Sequence, residues 1–136
     1  MPRDVQVVLG DRDFQCKADN GHLQWLLDEP ETKGGQDTGP SPSESVMGGL
    51  GACIAITMQI YARHKGWDLG EIKVDLHLEG MEPGGHPRIH RKITIQGDFD
   101  DDQRSRLLKI AGKCPVSRLI SSEVPMTGEL VVEGGE

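Results

Sequence analysis

Three cysteines, Cys16, Cys53 and Cys114, are the side chains of this sequence best equipped for covalent chemistry. None belongs to a C-x-x-C pair, and no Cys/His cluster has the spacing of a zinc site. Thiols placed this way can pack as small hydrophobes or act as nucleophiles, and the residues leave both uses open. Cys114 stands out on local grounds, because it precedes proline in Lys113-Cys114-Pro115-Val116-Ser117. Proline disfavours the α region in the residue before it and suits the first position of a new helix. Cys114 is then expected at the N-cap, where backbone N–H groups and the helix dipole favour a thiolate. Cys53, in Gly49-Leu50-Gly51-Ala52-Cys53, is expected about three turns inside a long helix, beyond the reach of that end effect. Its activation would need a cation, and the N-terminal turn offers Arg12. Cys16, in an expected strand beside that turn, reads as structural.

The remaining polar groups carry weaker signals. His86 and His90 are four apart, but Pro87 intervenes and the stretch reads as extended, which argues against helical metal pairing. His64 belongs to a helix C-terminus and His77 to the solvent face of a strand. Gly48-Gly49-Leu50-Gly51 is not followed by G-K-[ST], so it is no phosphate loop. Asp100-Asp101-Asp102 reads as a helix N-cap cluster and not as a cation site.

The elements that must position the thiols follow from periodicity. Residues 4–9, 14–18 and 22–27 read as a three-stranded meander, its second turn marked by Asn20-Gly21. A polar Gly/Pro-rich loop covers residues 28–40, a length usually kept for function or mobility. Ser41-Pro42-Ser43-Glu44 fits a capping box, with Pro42 at the first helical position and Glu44 reaching back. The helix it opens runs to Arg63-His64-Lys65-Gly66 and is apolar over most of its circumference, so it is expected to be largely buried. Gly48, Gly49 and Gly51 are each about 1 kcal/mol worse than alanine in a helix, which suggests another backbone packed close by. Residues 72–78 alternate apolar and polar, and 89–96 read as their partner strand. A helix capped by the aspartates follows, with Leu107, Leu108, Ile110, Ala111 and Cys114 as its expected inner face. A short helix from Pro115 to Ile120 and a last strand over Glu129–Val132 close the chain. The fold class is α+β, with antiparallel sheet, one long buried helix and a C-terminal helical pair.

The chain has 136 residues, the size of a single domain, assigned here as 1–136. Its net charge is −7 and it has no Lys/Arg run, which argues against nucleic acid and against an anionic membrane surface. Uninterrupted apolar stretches are only a few residues long, so no bilayer span is expected. The Met-Pro-Arg-Asp start lacks the apolar core of a signal peptide, which points to a reducing, cytoplasmic setting. With five aromatic residues the private core of one chain is thin, a hint of self-association.

Gly39-Pro40-Ser41-Pro42-Ser43-Glu44, Gly49-Leu50-Gly51-Ala52-Cys53 and Lys113-Cys114-Pro115-Val116-Ser117 together resemble the OsmC/Ohr family, the osmotically inducible protein C and organic hydroperoxide resistance proteins. The resemblance spans nearly the whole chain, and Tyr61-Ala62-Arg63-His64-Lys65-Gly66-Trp67 is most similar to the OsmC-like branch. It implies an intertwined homodimer and a thiol-dependent peroxidase of organic hydroperoxides, needing neither metal nor organic cofactor. Cys53 would be the peroxidatic cysteine and Cys114 the resolving one, joined as a disulfide that an external dithiol reduces. The family's arginine maps onto Arg12. Its glutamate lies ten residues before the cysteine in the hydroperoxide-resistance branch, where this chain has Ser43. Glu44, nine before, is the carboxylate at hand, and it serves equally well as the closing residue of the capping box. At about 1.5 Å per residue Glu44 lies roughly 13–14 Å along the helix from Cys53, so an Arg12–Glu44 pair serving Cys53 would come from a partner chain. Two other readings remain: a dimer that binds a small apolar ligand with incidental cysteines, and a general thiol–disulfide exchanger.

Overall fold

The computed structural model describes residues 2–134. Strands β1 (Gln6–Leu9), β2 (Cys16–Asp19) and β3 (Gln24–Leu27) form an antiparallel meander in that order, with Cys16 paired to both Leu9 and Leu27. At the β2–β3 turn the Asn20 side-chain oxygen accepts from the amides of His22 and Leu23, and Gly21 takes a left-handed φ of +86°. The first turn extends further than the sequence suggests. Phe14 itself is left-handed, at φ +64°, so β2 starts at Cys16 and not at Phe14.

The 28–40 segment is tied down by a buried carboxylate. Asp28 accepts from the Thr38 hydroxyl at 2.6 Å, from the Thr38 amide at 3.1 Å and from the Glu29 amide at 2.7 Å. Its own amide donates to the Pro40 carbonyl, closing the loop on itself. The Thr38 hydroxyl bond, with help from the backbone amides, holds the Asp28 pKa below its ordinary value against the cost of burial.

Helix α1 (Pro42–Lys65) begins and ends where the sequence places it. The Ser41 hydroxyl accepts from the Glu44 amide at 3.2 Å, and the Glu44 carboxylate accepts from the Ser41 amide at 2.8 Å. The last turn carries Arg63, His64 and Lys65, and Gly66 closes it in a left-handed conformation. The hairpin of β4 (Lys73–Glu79) and β5 (Arg88–Thr94) pairs from Lys73↔Thr94 to Glu79↔Arg88. Helix α2 (Asp101–Ala111) opens on an Asp100/Gln103 capping box, and α3 (Pro115–Ile120) has Cys114 as its N-cap.

The core forms where α1 packs against β4, α2 and α3. Leu50, Ile54, Met58 and Ala62 recur every four residues and bury one stripe of α1 with Leu69, Leu107, Ala111 and Cys114. By length and composition α1 could also cross a membrane, which a search for uninterrupted apolar runs does not register. In this fold its apolar residues supply the core instead.

Four expectations need correction. Only one side of α1 is buried: Val46 is 53% and Ile60 64% exposed, because none of the described residues covers the opposite face. No other backbone lies against the three glycines among the described residues: a Cβ on Gly51 would lie 2.8 Å from the side-chain Cδ1 of Leu76, whereas Gly48 and Gly49 face open space. Leu108, expected on the inner face of α2, is exposed and lies against a cleft of its own. Residues 129–132 form no strand, and Leu130 is 90% exposed. The short β-branched, apolar run is real, but a strand needs a neighbour for its backbone groups, and the described residues give it none.

Replacing Ser41 by alanine removes the hydroxyl half of the capping box. The expected loss is about 1 kcal/mol of stability, within roughly 0.5–2 kcal/mol, measured by denaturant unfolding. A change of only a few tenths would mean that the start of α1 is held by its packing and not by its cap.

Candidate active site

Two elements bring the chemistry together. Cys53 faces out of the middle of α1, half-buried, beside the stripe that forms the core. Cys114 closes the turn between α2 and α3 and is fully buried. The packing of α1 on α3 brings these thiols, 61 positions apart in sequence, close enough to influence each other's acidity, both reduced.

Cys114 is the more completely held. Its Sγ accepts from the Ser117 amide at 3.3 Å, the usual bond between an N-cap side chain and the residue three positions on. Its thiol donates to the Ser117 hydroxyl at 3.0 Å, and that hydroxyl donates to the Ala111 carbonyl at 3.2 Å. Around Cys53 are the Val116 amide, the Cys114 thiol and the Thr57 side chain.

These surroundings split the two acidities. Burial raises the Cys53 pKa; the Val116 amide works against it, Cys114 adds to the rise, and Thr57 lowers it least, the net shift being upward. Burial also opposes ionisation of Cys114. There, however, the hydrogen bonds from the Ser117 hydroxyl, the Ser117 amide, Cys53 and Val116 outweigh it and bring the pKa below the ordinary thiol value. Within one chain Cys114 is therefore the more acidic thiol of the pair.

The other two sequence candidates lie elsewhere. Glu44 is engaged in the α1 cap, where the Ser41 amide and then the Ser41 hydroxyl lower its pKa. Arg12 sits in the β1–β2 turn, where its carbonyl accepts from the Gln15 amide. Its side chain borders a shallow cleft of about 400 Å³ with Val8, Asp11 and Lys17. Among the described residues its guanidinium makes no ion pair, and no cation acts on Cys53. The meander packs chiefly on itself, so one chain does not bring Arg12 to the cysteines.

Sequence reasoning overlooked Ser117, Thr57 and Arg91. Ser117 was within reach of inference, since it is three residues beyond an N-cap. Arg91 lies on β5 and lines a cleft of about 200 Å³ with Leu50, Ile89, Ser117 and Ile120, beside the Cys114 turn. It comes from the inward side of a strand whose other inward residues are apolar. A larger cleft of about 370 Å³ lies between β5 and α2, lined by Met58, Ile93, Ile95, Phe99, Leu107 and Arg104. Among the described residues no group of three or more His, Cys, Asp or Glu could hold a metal ion.

The fold that holds these residues is shared with known proteins. The sequence pattern of the family described as OsmC-like protein matches residues 34–129. The chain belongs to the OsmC-like family. Its fold is similar to that of an OsmC-like protein from Mycoplasma pneumoniae, with a TM-score of 0.75 and 20% identity over 88% of this chain and 87% of the other. It is similar to an organic hydroperoxide resistance protein, OsmC, from Legionella pneumophila, with a TM-score of 0.64 and 19% identity over 89% and 90% of the two chains. It is also similar to the organic hydroperoxide resistance protein OhrB of Bacillus subtilis, with a TM-score of 0.60 and 22% identity over 89% and 91%. No curated protein matches the sequence. At these identities the solved structures speak for the OsmC-like fold alone.

The charge order within the cysteine pair can be read directly. With Cys53→Ser, the ultraviolet thiolate absorbance of Cys114 should rise on the acid side of an ordinary thiol. A midpoint at or above that of an ordinary thiol would contradict the hydrogen-bonded assignment.

Proposed function

We propose that this OsmC-like protein is a thiol-dependent peroxidase that reduces organic hydroperoxides. The observation that carries the reading is the approach of two reduced thiols from distant parts of the sequence, one half-buried and one fully buried. Family membership and the names of the Legionella and Bacillus proteins add to it.

The chemistry balances with these groups and one external reductant. The Cys53 thiolate attacks the terminal oxygen of the hydroperoxide; an S–O bond forms and the O–O bond breaks. The leaving alkoxide takes up a proton to become the alcohol, and Cys53 becomes a sulfenic acid. The Cys114 thiolate then attacks the Cys53 sulfur; the S–S bond forms, the S–O bond breaks, and hydroxide leaves to be protonated as water. An external dithiol returns both residues to thiols. The apolar residues flanking Cys53 favour alkyl or lipid hydroperoxides over hydrogen peroxide.

Attack by Cys53 needs its thiol ionised, and within one chain burial works against that. The cation that corrects this is Arg12 of a second chain, oriented by Glu44. The homodimer covers the exposed Val46, Ile56 and Ile60 face of α1, and it covers Val7, Leu9, Leu23 and Trp25 of the meander. The catalytic unit is a single domain over 1–136, of which Met1 and residues 135–136 lie outside the described residues, acting in the cytoplasm.

One equivalent of an alkyl hydroperoxide added to the reduced protein should remove two hydrogens, with Cys53 linked to Cys114 and Cys16 free on peptide mapping. Cys53→Ser should abolish turnover, whereas Cys114→Ser should consume one equivalent and stall as the sulfenic acid. Thiols that survive the peroxide unchanged would favour instead a ligand-binding role for the cleft between β5 and α2.

Light scattering at micromolar concentration should give twice the chain mass. A monomeric mass with turnover retained would rule out the shared site.

A further inference from the structure

We propose that Ser117 is the positioning residue of the resolving step, its hydroxyl turning between two hydrogen-bonding roles as Cys114 gains and loses its proton. This rests on the peroxidase reading above.

The geometry requires the turn. With Cys114 protonated, the S–H donates to the Ser117 oxygen 3.0 Å away, so the hydroxyl hydrogen is free to point at the Ala111 carbonyl 3.2 Å away. With Cys114 ionised there is no S–H, and the same oxygen at the same distance can bond the sulfur only by donating to it. The Ser117 amide donates to the sulfur in both states. One hydroxyl rotation therefore trades the Ala111 carbonyl for the thiolate, and neither state leaves the fully buried sulfur without a partner. The same contacts hold Cys114 in place while Cys53, across the α1–α3 contact, carries the oxygen from the peroxide.

Other charges are few. From α1 the titratable neighbour is Cys53 itself. From β5, Arg91 shares the cleft that Ser117 lines. Lys113 precedes Cys114 in sequence, and Arg118 follows Ser117 on α3.

Loss of the hydroxyl has a pH signature that a packing defect lacks. Ser117→Ala raises the Cys114 pKa by about one unit, the scale of one hydrogen bond to a charged group. A less acidic thiol is less ionised but more nucleophilic once ionised, with a Brønsted slope of about 0.4–0.5. Below both pKa values the resolving step then slows by about threefold. Above both pKa values it is no slower than in the wild type and becomes faster.

The experiment follows disulfide formation after a single addition of alkyl hydroperoxide, across pH, in the wild type, Ser117→Ala and Ser117→Thr. Threonine keeps the hydroxyl, and the cleft beside Ser117 has room for its methyl group. The expected result is a deficit in the alanine variant confined to low pH and wild-type behaviour in the threonine variant. A second measurement needs no peroxide: in a Cys53→Ser background, Ser117→Ala should move the thiolate titration of Cys114 upward by about one unit. Equal slowing at every pH, or an unmoved titration, would overturn the role of Ser117. Failure of the wild type to form the Cys53–Cys114 bond, with the titration shift still present, would instead overturn the peroxidase reading.

Discussion

The structure depends on a single stripe of α1. Leu50, Ile54, Met58 and Ala62 lie one helical turn apart, and burying them against β4, α2 and α3 fixes how α1 is rotated about its axis. That rotation decides the environment of Cys53. Three residues from Leu50, it falls at the margin of the stripe, partly covered and beside the Cys-Pro turn, and not in the core or in open solvent. Moving the stripe by one residue would turn the sulfur about 100° from Cys114. The packing energy of ordinary aliphatic residues is thus what sets the sulfur geometry.

A second constraint sits at the other cysteine. Pro115 has no N–H to donate and a fixed φ, so it ends the run from α2 and starts α3 in one step. The residue before it becomes the cap, and its side chain is held by the amide and hydroxyl of Ser117. Because the sulfur is buried, these short-range dipoles act with little screening, and they override a burial effect that in Cys53 prevails. The two cysteines thus differ in acidity before any charged residue is considered: the hydrogen bonds to Cys114 outweigh its burial, whereas those to Cys53 do not.

What could be read from the sequence was local. Capping boxes at Ser41/Glu44 and Asp100/Gln103, the glycine end of α1 and the Cys114 N-cap involve residues within four positions of one another, and their chemistry is explicit in the letters. The buried Asp28 escaped notice because its partner Thr38 is ten positions away in a polar loop. The strand expected over 129–132 failed for a related reason: an apolar, β-branched run shows strand propensity, not whether a neighbour exists to pair with it. The apolarity of α1 over most of its circumference is explicit in the sequence, yet it does not say how much of that surface its own chain covers. For the site, the motifs named both cysteines, while Arg12 and Glu44 were carried by resemblance, and within one chain they stay apart from the thiols.

Asp28 also has a mechanical consequence. Its three acceptor bonds and the closure from its own amide to Pro40 make the 28–40 segment a braced strut between the end of β3 and the cap of α1. A free loop of that length would let the meander wander over a wide cone, and any surface it met would first have to overcome that freedom. With the loop ends tied together, the link between the sheet carrying Arg12 and α1 has lost much of its freedom in the fold, so that part of the ordering cost falls on folding and not on association. Acid would undo this arrangement from within. The Asp28 carboxylate has its pKa lowered in the fold, so its contribution is complete above the ordinary carboxylate range and fades as pH drops through the folded value.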